Sequence, residues 1–439
     1  MVVGVSLLLN KGDFKSESEM ILLLSREGTK SRSHRERKRR TRRLCLPDPW
    51  ASMETESSPT TVLRCSCFRF SNFPTMKMNT RFSREMHDMY NVHGHAGNLC
   101  RESILDGINK IICSRSKCQS AQPISVADFG TADGVASLDL VKEIIATIQT
   151  ELGKEQAIIV YYNDQPMNDF NLLSKVILGD GPGSGVMVTG NVYPMVIPRT
   201  MYKQCLPNNS LDLAMSSVAT HYMSTQVCQI KDGVFVEEAD DSEQRLMREQ
   251  AKTDWRAFVI SRGRELKPGG YLVTLNTSLD EKGNSPTLKD NGKVIMGDTV
   301  SELAKEGIIT QEEYLGMNYN AYYVRSEEDF KEPFTSALPD VERLGLELVL
   351  IKHYLQSPLP DIVNKDETEK LEYSHKLVAM VYPWMYHVIY GGLSKSRTEE
   401  EKEMIIDQYF HRLQTYAFDH SDNKLYPSFT QVVIKKKIM

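Results

Sequence analysis

Two hydrophobic patterns alternate along this chain, and the alternation starts only near residue 80. Residues 84–112 carry helical spacing, with Ile104, Ile108, Ile111 and Ile112 on or near one face. A short continuous apolar run, Ile124–Phe129, then predicts a strand buried on both faces. Ala136–Leu152 returns to the helical period, with Leu138, Val141, Ile144, Ile145 and Ile148 in phase. The exchange repeats. Strands are predicted at Ala157–Tyr162, Val186–Val192, Leu211–Val218 and Tyr271–Leu275. Helices are predicted at Asn168–Leu178, Arg199–Cys205 and Ser242–Leu266, with a glycine-rich loop at Gly179–Gly185. Apolar strands alternating with helices predict an α/β fold with a mostly parallel sheet covered on both faces. Ligands of such a sheet lie beyond the carboxyl ends of its strands.

Beyond residue 280 the pattern loosens. Residues 280–330 are polar, helix-prone and tyrosine-rich (Tyr314, Tyr319, Tyr322, Tyr323). Leu346–Leu355 reads as a strand, Glu367–Tyr390 and Thr398–Phe418 as helices, and Ser428–Ile438 as a last strand. The expected organisation is a leader at 1–80, an α/β core at 81–279, a mainly helical cap at 280–390, and a C-terminal helix and strand at 391–439 that complete the core.

Composition changes this picture in one place. The 439 residues are 41% hydrophobic and 25% charged, an ordinary globular balance. The net charge of −5 hides a split: residues 1–43 hold 12 Lys/Arg and 5 Asp/Glu, a net of +7, which leaves −12 for the rest. An acidic body argues against a nucleic-acid groove across the main domain. The basic run Arg26–Arg43 is expected to stay solvated. It reads either as a targeting or nuclear signal or as an extension ahead of an internal start at Met76, Met78 or Met86. No apolar run approaches the ~18 residues of a membrane span. The eight cysteines contain no CxxC pair, so no metal site is expected, and reduced thiols in the cytoplasm are the default.

Three motifs carry the chemistry. Asp128-Phe-Gly130-Thr-Ala132-Asp-Gly134 joins the first strand to its helix. Small residues there let a ligand lie against the backbone, and the helix amino terminus offers free N–H groups. Asp164, just past the second strand, is placed to take two ribose hydroxyls; its alternative role is a helix cap, shared with Asn163, Asn168 and Asp169. Leu266-Lys-Pro-Gly-Gly-Tyr-Leu-Val273 stops a helix and turns directly into a strand, as is frequent in class I methyltransferases. The order and spacing of the three fit S-adenosylmethionine (SAM) better than NAD.

Read together, the runs His95-Ala-Gly-Asn98, VADFGTADG (126–134), YYNDQPMNDFN (161–171), TMYKQCLPNNSLDLAMSSVATHYMS (200–224) and RELKPGGYLV (264–273) resemble the plant SABATH methyltransferases. These include the salicylate, benzoate and jasmonate carboxyl methyltransferases and the xanthine N-methyltransferases. The resemblance runs from about Tyr90 to the C-terminus. It implies a class I, Rossmann-like SAM-dependent methyltransferase with a helical cap, acting on a small-molecule acceptor, and it allows a homodimer. By position it implies that Asp128, with the turn glycines Gly130 and Gly134, meets the methionine end of SAM. Asp164 would hold the ribose, Gln165, Thr200 and Met201 the adenine, and His221 and Tyr222 the acceptor carboxylate. Glu102 stands where carboxylate-specific members commonly have glutamine, Ala136 where an asparagine helps hold the methionine part, and Tyr222 where tryptophan is usual. The leading expectation is O-methylation of a carboxylic acid to its methyl ester. An ionised carboxylate needs no general base, which suits a series without an acid–base dyad. Glu102 motivates an alternative, N-methylation or phenol O-methylation; the departures at Ala136 and Tyr222 motivate a non-catalytic SAM-binding relative. The tyrosines at 314–323 with Trp384, Tyr386 and Tyr390 are candidates for the acceptor pocket or for plain core.

Overall fold

A computed structural model describes residues 98–118, 122–179, 191–319, 321–355, 359, 362, 366–423, 425 and 427–438. All lie within residues 69–439, one of two compact units of the chain. The basic leader, the helical spacing ahead of residue 98 and most of the glycine-rich loop lie outside the described residues.

The apolar runs pair as parallel strands: β1 (Ile124–Phe129), β2 (Ile158–Asp164), β3 (Val192–Pro198), β4 (Leu211–Ser217) and β5 (Leu266–Thr277). A small separate hairpin, β6 (Lys289–Asp290) and β7 (Lys293–Val294), follows. Then β8 (Leu346–Leu355) and β9 (Ser428–Lys436) complete a seven-stranded sheet of order β3-β2-β1-β4-β5-β9-β8, with β9 antiparallel to both neighbours. Alternate residues of each strand face opposite layers. Val126, Val160, Leu213 and Val273 pack under α1 (Arg101–Cys118), α2 (Val135–Leu152) and α3 (Phe170–Leu178). Ala127, Phe129, Ala214 and Leu272 pack under α4 (Asp241–Glu265), with its Trp255 and Phe258. Phe258 is fully buried, and its truncation to alanine costs about 3–5 kcal/mol.

A third cluster forms the cap. It joins α5 (Ile295–Lys305), α6 (Gln311–Gly316), α9 (Glu367–Gly392) and α10 (Glu399–Asp419) with Val234 and Phe235. Two further helices, α7 (Glu327–Thr335) and α8 (Pro339–Arg343), pack on the α4 side of the sheet through Phe330 and Val341.

Strand β3 is Val192–Pro198: Ile158–Asp164 pairs residue for residue with it, and an edge strand tolerates Pro194 and Pro198. Of the strand expected at Val186–Val192, residues 186–190 lie outside the described residues. The fold corrects three expectations. The expected helix at 199–205 is a series of turns, because its backbone groups bond to Asn163, Arg262 and Glu265. The cap does not run unbroken through 280–390, because Leu346–Leu355 pairs with β9 in the main sheet. The C-terminal helix does not complete the core: Ile406, Tyr409 and Leu413 of α10 belong to the cap cluster, and only β9 joins the sheet.

The Lys-Pro-Gly-Gly stop has a packing cause. Strand β5 begins directly after α4, and its register on β4 shifts between Leu211 and Leu213. A Cβ at Gly270 would stand 2.8 Å from the Asp212 carbonyl oxygen, so only glycine fits this close approach.

Candidate active site

The turn after β1 is held by its neighbours on every side. Gly130 (φ +79°) and Gly134 (φ +81°) need the left-handed region, and Ala132 adopts it too (φ +50°). A Cβ on Gly130 would lie 2.3 Å from that of Ala219, and one on Gly134 2.7 Å from Leu173 Cδ1. These glycines are therefore required by packing as well as by any ligand. Asn163 O accepts the N–H groups of Gly130 (2.9 Å) and Thr131 (3.1 Å). Asp164 Oδ2 accepts Ala132 N–H at 2.7 Å, and Asn168 Nδ2 donates to Ala132 O at 2.7 Å. Beside the turn opens a cleft of about 480 Å³, lined by Asp128, Gly130, Thr131, Ala136, Ser137 and Ser216 among others. It lies at the carboxyl ends of β1 and β4, as the fold class requires.

Two acids at the turn are destabilised as anions. Burial raises Asp128 to about 6; a hydrogen bond from Ser137 pulls it down, and nearby Asp164 pushes it up. Asp164 is also raised by burial, against two backbone N–H bonds from Gln165 and Ala132. The helix-cap alternative is excluded for Asp164, because Asp169 caps α3 through Asn171 and Leu172 N–H. Two acids at one turn, both raised by burial, suit a ligand bearing positive charge and hydroxyl donors. SAM carries both.

The 199–206 turns pack beside the glycine turn, with Met201 near Gly130. A fully buried ion pair organises them. Arg262 binds Glu265 at 2.6 and 2.8 Å and donates to Met201 O (2.7 Å) and Lys203 O (3.0 Å). Glu265 in turn accepts the N–H groups of Cys205 and, at 3.0 Å, Leu206. The guanidinium lies 3.8 Å from the centre of the Phe129 ring, one residue before Gly130. Met201 Sδ thereby comes within 4.0 Å of the position a Gly130 Cβ would take. Thr200 and Met201 are half-buried and Gln165 is exposed beside Asp164.

On the other side, His221 and Tyr222 stand at the start of an aromatic wall. Buried Arg325 donates to Thr220 O at 2.6 Å, and the Tyr202 hydroxyl donates to Thr220 O (3.2 Å) and Tyr222 O, which fixes the segment. Tyr222 bridges to Tyr322, and Tyr323 N–H donates to His221 O at 2.9 Å. The rings follow in sequence. His221 is 4.3 Å from Tyr222 and 5.1 Å from Tyr322, Tyr322 is 4.9 Å from Tyr319, and Tyr319 stacks on Trp384 at 5.4 Å. Tyr222 meets Tyr319 edge-on, with ring centres 6.2 Å apart. Burial pushes Tyr222 up. Ala219, two residues before His221, packs against Gly130, so the wall begins beside the glycine turn.

Glu102 is not brought to this group. It is exposed on α1, whereas Cys100 and Ile104 on the opposite face line the cleft. Tyr386 and Tyr390 also lie elsewhere, bonded to Glu403 (2.8 Å) and Glu399 (2.7 Å) between the two long cap helices.

Comparison with known proteins decides the family. The family described as SAM-dependent carboxyl methyltransferase matches residues 91–435, well over half of the chain. The chain belongs to this family. It is thus a SAM-dependent methyltransferase with SAM as its cofactor. Methyltransferase LUC1 of Fusarium sp is 26% identical over 330 residues, 72% of this chain and 86% of the relative. Jasmonate O-methyltransferase of Arabidopsis thaliana is 27% identical over 267 residues, 53% of this chain and 66% of the relative. A solved loganic acid methyltransferase with SAH superposes with a TM-score of 0.60 at 18% identity, covering 81% of this chain and 96% of that one. That likeness shows the class I methyltransferase fold.

For this carboxyl methyltransferase, sequence reasoning missed Ser137 and Phe235. Ser137 lines the cleft and pulls the Asp128 carboxyl down, and a hydroxyl one turn into the helix after the glycine run was a legible signal. Phe235, which packs on Tyr319 (5.8 Å) and Trp384 (6.3 Å), sits in an unremarked apolar triplet before acids.

Proposed function

We propose that this methyltransferase converts a small carboxylic acid to its methyl ester. One observation carries the reading: His221 and Tyr222 end an apolar aromatic wall, and Ala219 just before them packs against Gly130 of the turn beside the cleft. Asp128 would hold the methionine end of SAM, and Asp164 the ribose through two charge-assisted hydrogen bonds. Gly130 and Gly134 give the turn its close backbone, and Gln165, Thr200 and Met201 flank the adenine. SAM, when bound, supplies a methyl group already activated by its sulfonium. The protein's share is then orientation and dryness. His221 and Tyr222 donate to one acceptor oxygen and leave the other free to attack, and no group has to remove a proton. Tyr319, Tyr322, Phe235 and Trp384 hold the acceptor's apolar body, and the cap keeps water out.

N-methylation or phenol O-methylation was motivated by Glu102, which is exposed on α1 away from the wall. Among the described residues no helix is long and apolar enough to cross a membrane. A cytoplasmic site of action accords with free thiols at Cys100, Cys113, Cys205 and Cys228. The family resemblance allows a homodimer, and sedimentation mass decides that point.

The test is incubation with methyl-labelled SAM and a panel of aromatic, fatty and terpenoid acids. Label in an alkali-labile ester is expected. SAM binding without any such ester across the panel refutes the reading.

A further inference from the structure

The short turn Val236–Glu238 treats its two glutamates in opposite ways. Glu238 serves the fold. Its Oε2 accepts the N–H groups of Val234 at 2.9 Å and Phe235 at 3.0 Å, and a Cβ on Gly297 would stand 2.4 Å from that oxygen. Glu237 is only half committed. Its Oε1 accepts the Ser285 hydroxyl and, at 3.3 Å, the Thr287 hydroxyl. Its Oε2 is sealed from solvent and has no hydrogen-bond partner. A carboxylate oxygen left so is costly, and a fold with no use for it would be better served by an apolar side chain.

The turn abuts the acceptor wall. Tyr319 N–H donates to Val234 O at 2.6 Å, and Phe235 packs on Tyr319 and Trp384. Tyr322, in ring contact with His221 and Tyr319, feels the charge of both Glu237 and Tyr222. The wall therefore has two polar ends, the His221–Tyr222 pair and the Glu237 carboxylate, with aromatic rings between.

We propose that Glu237 Oε2 is a second recognition point for the acceptor, taking a hydrogen bond from a hydroxyl remote from the methylated carboxyl. The inference rests on carboxyl methylation at the His221–Tyr222 end. It assigns the substrate class as hydroxylated carboxylic acids with an apolar body. Dicarboxylic acids are disfavoured, because a second anion would face Glu237. A buried acceptor discriminates strongly, since an analogue without the donor leaves it unpaired.

Matched pairs of aryl and alicyclic carboxylic acids, with and without a remote hydroxyl, test the assignment on the full chain. Turnover is measured with SAM, and binding by calorimetry on the SAH-saturated protein. The hydroxylated member should be preferred by roughly 10²-fold or more in kcat/KM. Glu237→Leu should abolish that preference, with SAH affinity unchanged. Glu237→Gln keeps an acceptor oxygen and should retain part of the preference. Equal use of both members by the wild-type protein overturns the proposal, as does a preference that survives Glu237→Leu. If no ester forms but the hydroxylated member still binds better, and Glu237→Leu erases the difference, the Glu237 site stands and the carboxyl reading falls. Binding by neither member of any pair overturns both.

Discussion

On the cofactor side, Asp128, Gly130, Gly134 and Asp164 come from one β1–α2–β2 unit, and backbone groups hold almost every part of it. On the acceptor side, His221, Phe235, Tyr319, Tyr322 and Trp384 arrive from distant stretches of chain, and ring contacts hold them. The first is a local device of turn geometry and hydrogen bonds, which admit little variation. The second is a packed surface whose members can be exchanged at modest cost. A ligand common to a whole family suits the first kind of construction, and an acceptor that differs between members suits the second.

The sharpest way to break the cofactor half is from behind. Arg262→Met leaves Glu265 buried without its partner, which should cost about 3–5 kcal/mol of stability by chemical denaturation. The double variant Arg262→Met/Glu265→Leu should recover part of that stability. It should still bind SAM weakly, because Cys205 and Leu206 N–H lose their acceptor and the 199–206 turns are released. Full SAM affinity in a folded double variant would show that this pair does not position the cofactor side.

Asp164→Ala should weaken SAM binding by about tenfold or more in calorimetry, since it removes two charge-assisted bonds and the anchor of Ala132 N–H. Wild-type affinity in that variant refutes the ribose assignment. Asp128 gives the matching pH prediction. Its folded-state value, about 6, lies above the ordinary carboxylate value of 3.8. The folded ligand-free protein thus binds more protons than the unfolded chain between these limits, so this group's contribution to stability grows as pH falls from 6 toward 4. Cofactor affinity runs the other way. A cationic ligand needs the anion, so SAM affinity should drop by up to about tenfold per pH unit below 6. Affinity that is flat from pH 7 to 5 would remove Asp128 from the cation's side.

The same contrast governs what could be read from the sequence. Asp128, Gly130, Gly134 and Asp164 were legible because a turn after a strand constrains residue type at fixed spacing. Parallel strands buried on both faces were legible for the same local reason. The turns at 199–206 were not, because their shape comes from Arg262 and Glu265, some 60 residues away along the chain. Pro194 and Pro198 of strand β3 are tolerable because it lies at the edge of the sheet, a position that only tertiary pairing sets. On the acceptor side, tyrosines were recognisable as a group, yet Tyr319 and Tyr322 reached the wall whereas Tyr386 and Tyr390 did not. Residue type and spacing were alike; tertiary packing chose between them. Glu102 shows the limit of carrying a position across from a family: the residue is where the motif puts it, and its side chain faces solvent.

Smaller effects should appear on the acceptor side, confined to the acceptor. Trp384→Ala removes the ring stacked on Tyr319 and should raise acceptor KM by up to about tenfold, with SAM affinity unchanged. Tyr222→Trp is the mildest change. It keeps an aromatic face against His221 at the start of the wall and one N–H donor in place of the hydroxyl, while changing the edge contact with Tyr319. Exchange of one neutral donor for another is worth about 1 kcal/mol, so kcat/KM should change by less than about tenfold. The change should also differ between acceptors of different width, because the larger ring narrows the space beside His221. If Tyr222→Trp alters SAM affinity as strongly as acceptor KM, the two halves of the site are mechanically coupled through the packing of Ala219 on Gly130, and the division drawn between them does not hold.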